Sequence, residues 1–226
     1  MSTAVPVMLP PLRDGDRLTR EEFLHRWEAM PDLKHAELIG GIVYMASPTL
    51  STHDRFHSLM HAWLYDYARA TPGCAAGLEG TWLMAADAAP QPDTTLRILP
   101  EYGGQSRVVN DYLTGAPELA VEISHSSSSR DLGVKADLYR RGGVREYLVL
   151  LTQGPEVIWR EAVGQRYRKL TPASSGVLRS RVFPGLWLDA DALRQWDESR
   201  VFATLSEGLA SAEHSEFVRC LADRRR

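Results

Sequence analysis

Residues 118–124 read Glu-Leu-Ala-Val-Glu-Ile-Ser, residues 131–141 read Asp-Leu-Gly-Val-Lys-Ala-Asp-Leu-Tyr-Arg-Arg, and residues 145–151 read Arg-Glu-Tyr-Leu-Val-Leu-Leu. The first and third are short apolar runs of strand length. The middle stretch is a helix predicted from about Asp131 to Arg141, and Gly142-Gly143 stops it. A strand, a helix and a strand in this order predict layers of mixed character. Glu122 is the anomaly in the first run. It lies between Val121 and Ile123, where an unpaired carboxylate would be costly.

Working toward the N-terminus, Asp93 to Ile98 and Thr81 to Met84 read as strands separated by the breaker stretch Ala88-Ala89-Pro90-Gln91-Pro92. Pro100 to Thr114, rich in Gly and polar residues, reads as a loop. Ser51-Thr52 is the expected cap of a helix running to about Arg69, with Phe56, Leu59, Met60, Trp63, Leu64 and Tyr67 on its buried side. Ala36–Ile39 and Ile42–Ala46 flank Gly40-Gly41, a two-residue hairpin signal. Thr19 and Glu22 have capping-box spacing ahead of Phe23, Trp27 and Met30, and Pro31 ends that helix. Toward the C-terminus, Val157–Arg160 and Gln165–Leu170 form a hairpin about Gly164, and helices follow Leu188 up to a basic tail. The pattern predicts a mixed α/β (α+β) fold. Its parts are an N-terminal arm at 1–18, a body at 19–189 and a helical extension at 190–226.

With 226 residues, 44% of them hydrophobic, the chain can bury a full core. It contains no apolar run long enough to cross a membrane. The opening Met-Ser-Thr-Ala-Val-Pro lacks the basic-then-apolar pattern of a secretory signal. Cys74 and Cys220 stand far apart with no ligand-type neighbours, so free thiols in a reducing cytoplasm are expected. A formal net charge of −3 counts against a protein built only for non-specific grip on nucleic acid. It leaves room for an enzyme whose own acidic residues lower the total.

The chemistry-bearing residues are Asp93 at the opening of a strand, Glu122 within a strand, Lys135 on the following helix and Glu37 on the first hairpin. Carboxylates gathered at one sheet edge are hard oxygen ligands suited to Mg²⁺ or Mn²⁺, which would polarise a phosphodiester and activate water. A lysine beside them could orient that water or stabilise developing charge.

Gln-Pro-Asp at 91–93, Ala-Val-Glu-Ile-Ser at 120–124, Ser-Arg-Asp-Leu-Gly-Val-Lys-Ala-Asp-Leu-Tyr at 129–139 and Gly-Val-Arg-Glu-Tyr-Leu-Val at 143–149 together resemble the Uma2 (DUF820) pattern. Glu37 to Ser47-Pro48, with His53 beyond, and Val182 to Leu188 are similar to that family's outer motifs. The resemblance implies a restriction-endonuclease-like PD-(D/E)XK core, a central mixed sheet flanked by helices. It implies Asp93, Glu122 and Glu37 as ligands of Mg²⁺ or Mn²⁺, Lys135 as the lysine supplied from a helix, DNA as the substrate and a homodimer. Ser124 stands where many such enzymes carry a strand lysine, and His125-Ser126 replaces the frequent Ser-Pro.

Gln91 and Asp131 are subsidiary candidates, and His53 belongs at the site edge. Asp131 is more simply read as the helix N-cap. His53, His57 and His61 fall on one helical face at a spacing compatible with zinc, although no catalytic glutamate sits between the first two. Arg130 and Arg141 are candidate phosphate contacts within a group that includes Arg140 and Arg145; a solvated basic face explains them equally well. The serine run Ser126–Ser129 suits a flexible or phosphate-sized loop. The rival reading is a catalytically silent binding or regulatory module. The near-neutral charge and the missing strand lysine favour it, and the complete acidic set with Lys135 opposes it.

Overall fold

The computed structural model describes residues 9–45, 50–125, 127–173 and 175–225. Residues 1–8 of the expected arm, the Ala46 end of the second strand, the Ser47-Pro48 pair and Ser126 of the serine run lie outside them.

Helix α1 (Arg20–Glu28) is capped by the Thr19 hydroxyl, which accepts from Glu22 N at 3.2 Å. Only half of the expected capping box forms, because the Glu22 side chain turns to Arg26 instead. Strands β1 (Ala36–Ile39) and β2 (Ile42–Met45) pair antiparallel around Gly40 and Gly41. Both glycines have positive φ, 59° and 76°, as a tight twisted hairpin requires. Helix α2 (Ser51–Ala70) follows, with the apolar stripe buried as predicted. Its N-cap position is Leu50 and carries no side-chain cap bond, so Ser51 and Thr52 are helical residues rather than caps.

Strand β3 (Cys74–Leu78) was not predicted, since Cys-Ala-Ala-Gly-Leu has little strand propensity. It forms through five register pairs with β5 (Thr94–Ile98), after the short β4 (Trp82–Leu83). The stretch Pro100–Thr114 is not a plain loop. It holds a 3-10 turn at Pro100–Tyr102 and a hairpin of β6 (Arg107–Val109) and β7 (Tyr112–Thr114). Asn110 and Asp111 take left-handed φ of 49° and 66° at that hairpin's tip, which their side chains tolerate. Strand β8 (Leu119–Ser124) leads to a helical run made of α3 (Ser128–Arg130), a π turn at Asp131–Lys135 and α4 (Ala136–Gly142). Gly143, at φ 96°, ends it. Strands β9 (Glu146–Leu151), β10 (Glu156–Val163) and β11 (Arg166–Lys169) complete the central sheet. A small pair, β12 (Val177–Arg179) and β13 (Trp187–Asp189), precedes helices α5 (Ala190–Arg194), α6 (Glu198–Leu209) and α7 (Ala212–Arg224).

The central six-stranded sheet has the order β11-β10-β9-β8-β5-β3. Within this sheet only β8 and β9 run parallel, because the helical run at 128–142 carries the chain back between them. Every residue of β8 is buried, which explains its continuous apolar reading. Leu119, Val121 and Ile123 point into the larger core beneath Phe56, Met60 and Trp63 of α2. Leu193, Val201, Leu205 and Leu221 of the C-terminal helices join that same core. On the opposite face Ala120 meets Leu138, Tyr139, Tyr147 and Val149 under α4. Alternation therefore sends Glu122 to this second face. A smaller core of Leu12, Phe23, Leu38 and Val43 fastens α1 to the β1–β2 hairpin. The fold is mixed α+β, a central mixed sheet flanked by helices. No helix of the described residues is long and apolar enough to cross a membrane.

Candidate active site

Asp93 directly precedes β5, and the β5–β8 ladder ends at Thr94 opposite Val121. One step further along the same register sets Asp93 against Glu122. Ile123 N donates to Asp93 Oδ2 at 2.5 Å, tying the loop carboxylate to the strand that carries the glutamate. Burial pushes the Asp93 carboxyl up. The facing His53 and the Ile123 N–H outweigh it, so the group stays below the usual carboxylate range.

Lys135 reaches Glu122 from the helix above. Its Nζ lies 2.8 Å from Glu122 Oε1 and 2.9 Å from Glu37 Oε1. Tyr139, one turn later, donates its hydroxyl to the same Glu122 Oε1 at 2.7 Å. Lys135 is only 2% exposed and Glu122 4%, so their pairing is what makes their burial tolerable. Burial would lower the Lys135 ammonium, but Glu122 and Glu37 overrule it and hold its pKa raised. Burial raises Glu122 well above its ordinary value; Lys135 opposes this, while Asp93, Asp131 and Glu37 add to it. The pocket thus holds more carboxylate than its lysine neutralises.

Asp131 and Lys135, the two ends of the π turn, are both buried and both line the site. The turn's carbonyls take side-chain donors: Tyr147 OH reaches Asp131 O at 2.9 Å, and Arg160 Nη1 reaches Leu132 O at 3.3 Å. Such turns recur at functional sites because they re-aim side chains. Asp131 is not the N-cap. That position belongs to Ser127, whose hydroxyl donates to Asp131 Oδ2.

Glu37 sits on the hairpin, and its Oε1 accepts from both Lys135 and Gln91 N, the latter at 2.8 Å. Gln91 uses its own Oε1 to accept from Ala36 N at 3.2 Å, locking the Pro-flanked loop onto β1. His53 Nε2 faces Asp93 Oδ1 at 3.7 Å, and that carboxylate raises the imidazole pKa against the effect of burial. The three helical histidines do not converge. His57 Nε2 donates to Asp93 O at 2.7 Å, and His61 Nδ1 meets the Thr94 hydroxyl at 3.0 Å.

These residues surround one cavity of about 240 Å³. Glu37, His53, Gln91, Asp93, Glu122, Arg130, Asp131 and Lys135 all line it. Arg130 lies with its guanidinium 5.0 Å from the Tyr44 ring centre at the cavity edge. Arg141 is exposed beyond the lining, near the end of α4. His35 and Glu79 of the lining carried no signal as site residues in the sequence, whereas Ser127 belongs to the serine run and His125 to the replaced Ser-Pro. Tyr139 behind the lining was not singled out; it stands four residues after Lys135, and helical spacing alone would have set the two on a common face.

Among the described residues no three His, Cys, Asp or Glu side chains gather into a ready metal cage. The donor set nevertheless suits a hard divalent cation, which needs only one or two carboxylates and completes its shell with water and phosphate. Asp93 and Glu122 are adjacent, their charge is under-neutralised, and no hydrogen bond from a described residue reaches Glu122 Oε2.

The model of the Uma2 family, described as "Putative restriction endonuclease", matches residues 20–191. Among solved structures, the chain resembles one from Anabaena variabilis described as "a putative nuclease belonging to DUF820". That match has a TM-score of 0.58 and 16% sequence identity, and it covers 79% of this chain and 98% of the other. No curated protein matches the chain. The cavity residues Gln91, Asp93, Glu122, Asp131 and Lys135 lie inside the matched span, and the chain belongs to the Uma2 family.

Proposed function

We propose that this protein is a nuclease that hydrolyses DNA phosphodiester bonds with Mg²⁺ or Mn²⁺. The observation that carries the proposal is the convergence of Asp93, Glu122 and Lys135 in one cavity, with Lys135 buried against the carboxylate it serves. Membership of a family of putative restriction endonucleases, and likeness to the putative nuclease from Anabaena variabilis, support a nuclease role.

In this reading Asp93 and Glu122 hold the cation. When bound, it supplies Lewis-acid polarisation of the phosphate and a more acidic water. The remaining work falls to the chain's own residues. Lys135 places an ammonium beside the reacting phosphate and stabilises charge that develops on it. Glu37 holds Lys135 in that position and is itself held by the Gln91 N–H, a part it plays beside that of a further ligand for the cation. Asp131 fixes the loop through Ser127. His53 keeps Asp93 ionised and lines the entrance, where Arg130 is placed to meet a neighbouring phosphate. A cut across both strands would need two such sites, and a homodimer would supply them.

The test is cleavage of supercoiled and single-stranded DNA with Mn²⁺ or with EDTA, wild type beside Asp93→Ala and Glu122→Gln. Metal-dependent nicking that both substitutions abolish, with circular dichroism unchanged, is the expected result. Nicking retained by both variants would reject the site. Absence of nicking by wild type would favour the silent binding module.

A further inference from the structure

Tyr139 belongs to the family-like stretch but has no part in the reaction described above. Its side chain is fully buried, and its ring packs against Tyr147 with centroids 5.0 Å apart. That packing leaves the hydroxyl little freedom. It points at Glu122 Oε1, the same oxygen that Lys135 Nζ contacts. A carboxylate only accepts, and a buried phenol must donate somewhere, so the bond has one direction. Two donors on one oxygen orient the whole carboxylate, because the second oxygen must then take the opposite side. Lys135 cannot do this alone, since Glu37 shares its ammonium.

We infer that Tyr139 is a positioning residue for Glu122, occupying Oε1 jointly with Lys135 so that Oε2 is left to meet a divalent cation in the cavity. The inference rests on the reading of Asp93 and Glu122 as a cation site. Partners behind a metal ligand typically change affinity by about 10- to 100-fold when removed. With Lys135 still in place, a loss near the lower end, about 10-fold, is expected for Tyr139→Phe. Tyr167→Phe is the control. Its hydroxyl also donates within the protein, to Val144 O at 2.9 Å, and its ring stacks near Tyr147, yet it makes no bond to Glu122.

The experiment is calorimetric titration of the full chain with Mn²⁺, comparing wild type, Tyr139→Phe and Tyr167→Phe, each checked by thermal melting. Mn²⁺ affinity about 10-fold weaker in Tyr139→Phe and within about twofold of wild type in Tyr167→Phe supports the inference. Equal affinity in Tyr139→Phe, or equal loss in both variants, overturns it and leaves the cation site standing. No Mn²⁺ binding by wild type overturns both. Should Tyr139→Phe fail to fold, the wild-type ultraviolet spectrum decides. A tyrosine difference band on adding Mn²⁺, absent in Asp93→Ala, supports the contact, and no band overturns it.

Discussion

Replacing Lys135 with methionine removes a buried ammonium while keeping most of the side chain's volume. The structure sets the scale of the effect. Nζ stands 2.8 Å from Glu122 and 2.9 Å from Glu37, in a residue only 2% exposed. The gross attraction is largely offset by the cost of taking the charges out of water, so it does not measure the loss. What matters is that two carboxylates are left facing each other without a cation, and breaking a buried pair in this way costs about 3–5 kcal/mol. For a chain of this size that is a melting temperature lowered by about 6–20 °C. The pH dependence gives a second signature. Burial and the neighbouring carboxylates already hold Glu122 above its ordinary value, and without Lys135 it moves further up. A carboxyl with a raised folded-state pKa binds more protons folded than unfolded, so stability falls as pH rises. The deficit of Lys135→Met is therefore smaller at about pH 5 than at about pH 8. Adding Glu122→Gln recovers much of the loss by removing the stranded charge. Urea unfolding followed by circular dichroism reads all three. A single variant within about 1 kcal/mol of wild type at neutral pH, or a deficit that grows on acidification, would mean that Lys135 does not neutralise buried carboxylates.

Burial pushes Glu146 up to about 7, although Ser180 OH and the N–H groups of Arg181 and Val182 donate to it. It therefore favours folding below about pH 4.5, and about 3 kcal/mol of that contribution is lost as pH rises to 7; Glu146→Gln should flatten the stability slope across this window. His214 works in the opposite sense. Burial lowers its pKa, Nδ1 donates to Leu209 O at 2.9 Å, and Nε2 meets the Thr71 hydroxyl at 2.9 Å. Its contribution is complete above about pH 6.5 and lost as pH falls through its lower folded value, so His214→Gln should melt with less acid sensitivity than wild type. Gly133 lies in the π turn with space around it, since a Cβ there would meet nothing within 4 Å. Gly133→Ala should raise stability by about 0.5–1 kcal/mol without changing cleavage; a loss of stability would mean the turn needs glycine's freedom.

Where local physics agrees with the tertiary structure, the sequence is readable. The buried strand at Leu119–Ser124 follows from an apolar run, the helix at Arg20–Glu28 from its Thr19 cap, and the first hairpin from two glycines that must adopt positive φ. Strand Cys74–Leu78 was invisible because pairing with Thr94–Ile98 forms it against weak propensity. The hairpin at 107–114 did carry a signal, Asn110-Asp111 between short apolar runs, which the Gly-rich surroundings obscured. Asp93, Glu122, Lys135, Glu37, His53 and Gln91, singled out by residue type and order, all line one cavity. What the sequence did not disclose was how they divide the contacts. Glu37's pairing with Lys135 depends on a hairpin folding over from a distant part of the chain, which no local pattern records.

The most direct test of the central claim is anomalous diffraction from crystals of the full chain soaked in Mn²⁺. A single strong peak is expected in the cavity, within ligand distance of Asp93 and Glu122 and absent from crystals of Asp93→Ala. A cavity without a peak at saturating Mn²⁺, or a peak bound elsewhere while Glu122 stays paired only with Lys135 and Tyr139, would contradict that claim.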